Sequence, residues 1–421
     1  MRCPSPHNIT PLTIKADLRH VIYALSDALD LVGIDDVAHG KRVGIMAAEC
    51  ARQMGMGEAE TTFMFDLGLL HDIGVSSTSI HQHLVGEFDW AGSQDHAIVG
   101  HDLLVDFQPL AAMAEPIRYH HTRWDRLVAA GVDPEIVEQA NLILLVDRVD
   151  AMTAPYYANN SMLLHKDDIR DQVRQRAGTY FAPHLVDAFL EASRPEAFWL
   201  LLEPRSIQCT LQDMLSQGKG CIATVGELKQ LATIFSRIVD AKSPFTAEHS
   251  LGVARLARLL AEKMGVEPIA CDKLEIAGLL HDLGKLRVPD EILDKPAKLA
   301  PEERMVINAH SFETFQILRN IHGFEDISHW AAYHHEEPDG SGYPFRITEN
   351  EMPLEARILR VADIFQAMAQ DRPYRKGLDA TEVTAFLNKL VADNRVDGHV
   401  VAIAERCIDE AMAAARPSCV H

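Results

Sequence analysis

LGLLHDIG at residues 67–74 recurs as AGLLHDLG at residues 277–284, an offset of 210. This pair of near-identical stretches decides the architecture, because everything around it repeats in register. A histidine lies 32 residues upstream of each HD pair, His39 in one copy and His249 in the other. Sixteen residues past each of these is a glycine, in QMG (53–55) and KMG (263–265). Downstream, His96 and His310 each precede a His-His pair by 24 residues, His120-His121 and His334-His335. An aspartate then follows in matching apolar surroundings, Asp147 in VDRVDAM (146–152) and Asp363 in ADIFQAM (362–368). The offset drifts only from 210 to 216, and ten of the 21 histidines stand in this register. The chain is a tandem duplication.

The local pattern is helical. ARLARLLAEKMG (254–265) sets Leu256, Leu259 and Leu260 at the spacing of one buried stripe, and ELKQLATIFSRIVDA (227–241) and HVIYALSDALDLVG (20–33) read the same way. No stretch alternates as a strand does. The reading is therefore all-α, two tandem helical bundles: an N-terminal one over 17–203, a connector over 204–224 and a C-terminal one over 225–415. Gly74 and Gly284, each closing an apolar helix, are expected to supply a left-handed C-terminal cap.

Composition narrows the setting. Forty basic against 61 acidic residues leave a formal charge of −21, which repels a phosphate backbone and argues against bulk nucleic-acid binding. The longest apolar run, 197–202, is far below the roughly 20 residues of a membrane helix, so no membrane partner is expected. The opening MRCPSPHNIT has no apolar core of the signal-peptide kind, and the seven cysteines lack CxxC spacing. Reduced thiols in a cytoplasmic protein are the expectation.

In the second copy, His249, His281, Asp282, His310, His334, His335 and Asp363 come from five separate segments. All are imidazole or carboxylate ligands suited to Fe, Mn, Zn or Ni. Seven exceed the needs of one ion and suit two that share a carboxylate. Asp282 is the natural bridge because it adjoins His281 at one helix end. Two ions about 3.5–4 Å apart activate water and stabilise a leaving oxygen, so phosphoester hydrolysis is the chemistry this set suggests.

The second copy resembles the HD-GYP subclass of the HD phosphohydrolase superfamily. The matching stretches are HSLGVARLA (249–257), HDLGKLRVPDEILDKPAKLAPEER (281–304), HHEEPDGSGYP (334–344) and ADIFQAMAQDRPYRK (362–376). The resemblance implies a metal-dependent phosphodiesterase that opens cyclic di-GMP to linear pGpG. The alternatives are the same chemistry on 3′3′-cyclic GMP-AMP, or a cyclic-dinucleotide receptor that binds without turnover. It also implies that the seven residues are metal ligands for two divalent ions, Fe or Mn, with Asp282 and Lys285 catalytic and Lys285 on the scissile phosphate. Gly342, Tyr343 and Pro344 would bind substrate, Tyr343 against a guanine and Gly340 helping to shape the loop. Arg372 and Arg375 would hold phosphate oxygens.

Departures from the family pattern carry information. Where members with three metals have a Glu, four residues before the first histidine, this copy has Phe245, which implies two ions. Gly252, Thr314 and Gln366 stand where the family usually has Arg, Gly and Asp. The first copy keeps a possible second metal site, His39, His71, Asp72, His96, His120, His121 and Asp147, with Asp35 as a candidate further carboxylate. It has Val75 in place of the lysine and TRWDRLVAAG (122–131) in place of a GYP loop. Its substrate is not readable, and a degenerate duplicate kept for packing or regulation is the competing reading.

Overall fold

The structure, a computed structural model, describes residues 14–33, 38–86, 92–158, 161–217, 222–243, 248–371 and 376–416. Among the described residues the elements are α-helices and short 3-10 turns, without a strand. Two isolated bridges, Asp17 with Ile222 and Ala177 with Phe181, are the sole extended pairings there.

Each repeat lays down, in the same order, five helices that carry or lead into the repeated histidines and aspartates. In the first these are His39–Gln53, Glu58–Leu70, Ser93–Leu104, Ala111–Tyr119 and Pro134–Tyr157. In the second they are His249–Lys263, Pro268–Leu280, His310–Leu318, Glu325–Ala332 and Leu354–Ala369. Apolar stripes close each bundle. Phe65, Phe181, Phe189 and Trp199 are fully buried in the first, and Phe235, Phe324 and Phe365 in the second. Burying side chains of this size contributes about 1.5–3 kcal/mol each.

Gly74 and Gly284 are not left-handed caps, contrary to the expectation. Positive φ belongs instead to Gly55 and Gly265, at 79° and 75°, which end the helices opened by His39 and His249. Gly74 and Gly284 are glycine for want of room. A Cβ on Gly74 would stand 2.0 Å from the His96 carbonyl oxygen, and one on Gly284 2.1 Å from that of His310. The turn after each HD pair thus lies directly on the backbone of the helix that brings in the next histidine. That contact sets the distance between Asp72 and His96, and between Asp282 and His310.

The stretch read as a connector is helical over Pro204–Gln217, with Ile207 and Met214 buried and the helix packed against His39–Gln53. The bundles also interlock. Asp290, which opens the short helix Asp290–Leu293, accepts from Thr78 N (3.2 Å), Ser79 N (3.2 Å) and Ser77 Oγ (2.7 Å). It thereby caps the first bundle's helix Thr78–Gly86 from the second bundle. The fully buried Lys242 ammonium donates to the same carboxylate at 3.1 Å, to Thr78 Oγ1 at 3.1 Å and to the Ser76 carbonyl at 3.3 Å. Helix Leu18–Asp30, expected within the first bundle, packs against helix His310–Leu318 of the second as well.

Candidate active site

The seven residues singled out in the second copy converge on one buried point. His249, His281 and Asp363 form one cluster of ligand atoms, and His310, His334 and His335 form another. Asp282 lies between them. Its Oδ2 is 3.6 Å from His249 Nε2 and 3.3 Å from His281 Nε2, while its Oδ1 is 3.4 Å from His310 Nε2 and 3.8 Å from His334 Nε2. One oxygen thus faces each cluster, the disposition a bridging carboxylate needs.

Local backbone fixes the imidazoles. His281, His310 and His334 each donate Nδ1–H to the carbonyl three residues earlier, of Gly278 (2.8 Å), Ile307 (2.6 Å) and Ala331 (2.6 Å). This leaves each Nε2 as an acceptor aimed inward, the tautomer a metal requires. Burial, reinforced by the neighbouring imidazoles, holds His334 and His335 well below the usual histidine pKa, so both are neutral donors at pH 7. Burial pushes the Asp282 carboxyl up, but the His281 imidazole and the Lys285 ammonium beside it outweigh this. Its pKa falls well below the carboxylate range. Asp363 is lowered against burial in the same way, by the bond and charge of His249 and then by His281 and His335.

The donor set fits divalent ions. Asp282 Oδ1 and His281 Nε2 are buried with no hydrogen-bond partner among the described residues. Polar atoms in that condition cost about 1–3 kcal/mol each, and cations between the clusters would satisfy both.

Lys285 Nζ sits 2.5 Å from Asp282 Oδ2 and keeps a fifth of its side chain exposed, so it is the cation at the rim of the cluster. Tyr343 stacks on His335, with ring centroids 4.8 Å apart and planes at 29°, and its amide donates to the His335 carbonyl at 3.2 Å. One face of the ring is thus taken by a member of the cluster. Gly342 must be glycine, because a Cβ there would lie 2.4 Å from Glu337 N and 2.5 Å from Glu336 Cα. Gly340 turns the loop at φ 77°, and Pro344 is half-buried beside Tyr343. Arg372 and Arg375 lie outside the described residues, as do Phe245 and Asp35.

Two loop anchors were absent from the sequence reading. The buried Glu336 carboxylate accepts from the amides of Phe345 (2.6 Å), Arg346 (3.2 Å) and Ile347 (3.2 Å). Glu337 takes Arg360 Nη2 and Arg395 Nη2 at 2.7 Å each and Ser341 Oγ at 2.9 Å. Their signal was the pair of acids lodged between the double histidine and DGSGYP. Thr314 replaces the usual glycine productively, since its Oγ1 accepts from Gly284 N at 2.9 Å and donates to the His281 carbonyl at 3.1 Å.

The first bundle repeats the geometry. Asp72, His96, His120 and His121 cluster on one side, and His39, His71 and Asp147 on the other. Asp72 Oδ1 is 3.2 Å from His96 Nε2 and 3.7 Å from His120 Nε2, while Oδ2 is 3.5 Å from His71 Nε2 and 3.8 Å from His39 Nε2. Asp72 Oδ1 and His121 Nε2 are likewise buried without a hydrogen-bond partner among the described residues. Here Val75 is buried where Lys285 stands in the other copy, and Arg148 instead pairs with Asp147 at 2.8 Å. Arg123 is engaged with Asp125 at 2.6 Å and lies over the Tyr180 ring, while Trp124 packs against the core.

A helical bundle that gathers five histidines and two aspartates into a carboxylate-centred cluster is the architecture of an HD-domain phosphohydrolase, and this chain contains it twice. HD domain families match residues 37–152 and 233–400. The chain is 35% identical, over 91% of its own length and 90% of the relative's, to the 3′3′-cGAMP-specific phosphodiesterase 1 of Vibrio cholerae serotype O1. A cyclic di-GMP phosphodiesterase of Thermotoga maritima is 35% identical over 35% of this chain and 41% of that one. The fold is similar to the crystal structure of a V. cholerae cyclic GMP-AMP specific phosphodiesterase, V-cGAP3. The TM-score there is 0.62 at 24% identity, covering 95% of this chain and 97% of that chain. The chain belongs to the HD-GYP subclass of the HD-domain cyclic-dinucleotide phosphodiesterases. Among the described residues no helix is long and apolar enough to cross a membrane.

Proposed function

We propose that the second bundle opens one phosphodiester of a guanine-containing 3′,3′-linked cyclic dinucleotide, with cyclic GMP-AMP as the main substrate, and releases the linear dinucleotide. The observation that carries this reading is the likeness, across both bundles, to a V. cholerae relative named for 3′3′-cGAMP. Cyclic di-GMP is the second reading. It is favoured by the T. maritima relative, whose alignment covers about a third of this chain.

His249, His281 and Asp363 would hold one divalent ion and His310, His334 and His335 the other, with Asp282 shared; Fe or Mn suits these donors. Such a pair, when bound, supplies an activated water and neutralises phosphate charge. The chain's own residues do the rest. The inward-facing Nε2 tautomers are set before substrate arrives, by the carbonyls of Gly278, Ile307 and Ala331. Lys285 is the protein cation placed to take a phosphoryl oxygen as its charge grows. Gly342, Tyr343 and Pro344 would line the approach, held by the Glu336 anchor, and Arg372 and Arg375 would neutralise the second phosphate. The set in the first bundle, His39 to Asp147, would bind metal without acting on this substrate.

The test is initial rates on cyclic GMP-AMP and cyclic di-GMP in parallel, with Mn(II) or anaerobic Fe(II) and chromatography of the products. A higher kcat/KM on cyclic GMP-AMP is expected, and a preference for cyclic di-GMP would reverse the order of the two readings. Lys285→Met in the same assay should lower kcat about 10²-fold, with KM changed far less. A change confined to KM would make Lys285 a ground-state contact only.

A further inference from the structure

The two centres differ at the partner of their first histidine. In the first bundle His39 Nδ1 donates to Asp150 Oδ2 at 2.8 Å. That carboxylate is itself held by Arg42, through Nε at 2.7 Å and Nη2 at 3.0 Å, and by the Tyr157 hydroxyl at 2.6 Å. In the second bundle the same register puts Gly252 in the place of Arg42 and Gln366 in the place of Asp150. His249 Nδ1 there donates to Gln366 Oε1 at 2.5 Å. The amide's orientation is fixed by its other end, since Nε2 donates to the Ala415 carbonyl and to Gln370 Oε1, each at 3.3 Å.

The two replacements fit each other. A Cβ on residue 252 would lie 2.7 Å from the Ala415 carbonyl oxygen, 2.9 Å from Gln366 Cγ and 3.0 Å from its Nε2, so the buried amide and the end of the last helix together fill space that an arginine would need. Where the first bundle has a buried ion pair, the second has a neutral hydrogen bond. The other cations beside the clusters balance, Arg148 on Asp147 in one centre and Lys285 on Asp282 in the other. The partner of the first histidine does not balance: a carboxylate held by an arginine in one centre, a neutral amide in the other.

A carboxylate accepting the Nδ1–H of an imidazole raises the basicity of Nε2, and a neutral amide does so far less. Changes of this kind alter metal affinity by roughly 10–100-fold. We propose that Gly252 and Gln366 make the His249–His281–Asp363 position hold its ion more weakly than the His39–His71–Asp147 position. The first bundle then fills before the catalytic one, and hydrolysis follows the supply of metal. Gln366 is a positioning residue, acting through His249. The inference rests on reading both clusters as metal centres.

The test uses the full chain, stripped of metal and titrated with Co(II), read by calorimetry and by the visible absorption of the bound ion. Asp282→Asn isolates the first centre and Asp72→Asn the second. The tightest step is expected to be about 10–100-fold stronger in Asp282→Asn than in Asp72→Asn. In the Asp72→Asn background, Gly252→Arg with Gln366→Asp should recover most of that difference. Asp150→Asn, nearly isosteric, should weaken the first centre by a similar factor if the paired exchange fails to fold. Equal affinities, a tighter second centre, or an Asp150→Asn variant that binds as wild type would overturn the inference. Failure of either centre to bind Co(II) at all would instead remove the metal reading beneath it.

Discussion

Asp282→Asn is expected to lower the rate of dinucleotide hydrolysis by about 10³-fold or more, the largest effect of any single change in the chain. The substitution preserves size and removes the charge. Each oxygen of the aspartate faces a different histidine cluster, Oδ2 within 3.6 Å of His249 and His281 and Oδ1 within 3.8 Å of His310 and His334. With Asp363 it is one of two carboxylates among the seven residues, so the donor set falls from two negative charges to one. The amide group of the new side chain also donates toward imidazole nitrogens that must accept. Metal bound in the second bundle should fall with the rate, while the melting temperature of the metal-free protein changes little. Elemental analysis beside initial rates checks this. A variant that kept its ions and its rate would show that Asp282 does not bridge.

Gly284→Ala should cause a large loss of stability for the addition of one methyl group. The new Cβ would meet the His310 carbonyl oxygen at 2.1 Å and Glu313 Cβ at 2.8 Å. Most of this contact is backbone, so no side-chain rotation relieves it. The helix His310–Leu318 must move away from the turn, and overpacking of this kind costs about 1–3 kcal/mol. For a bundle of this size that corresponds to a fall in Tm of roughly 3–10 °C. His310 moves with the helix, so metal affinity should drop too. Gly265→Ala is the informative control. Its added Cβ has open space and suffers only from a φ of 75°, so it should destabilise with metal affinity intact. Thermal melts with and without Mn(II) separate the two effects.

The site was legible in the sequence because duplication printed it twice. A fourteen-residue coincidence in register, with the helical stripes around it, is enough to identify the fold and to place His281 and Asp282 at a helix end. What the sequence did not disclose depends on contacts between distant segments. The role of Gly74 and Gly284 was misread because the atom that excludes a side chain belongs to a helix more than twenty residues later. Glu336 and Glu337 are not readable as loop anchors from the sequence, since their partners are backbone amides at 345–347 and arginines at 360 and 395. The helix Pro204–Gln217 was readable, with Ile207, Leu211, Met214 and Leu215 at helical spacing, but its stripe is narrow and the glycines just after it suggested a linker. The interlock of Asp290 with Ser77, Thr78 and Ser79 joins residues more than 200 apart, and a local pattern carries no trace of it.

Which of the two centres performs the hydrolysis is decided most directly by comparing wild type, Asp72→Asn and Asp282→Asn on cyclic GMP-AMP with saturating Mn(II), with the linear product separated by chromatography. Wild type and Asp72→Asn are expected to form linear dinucleotide at similar rates and Asp282→Asn to form essentially none. Hydrolysis that survived in Asp282→Asn and vanished in Asp72→Asn would place the chemistry in the first bundle and contradict the account.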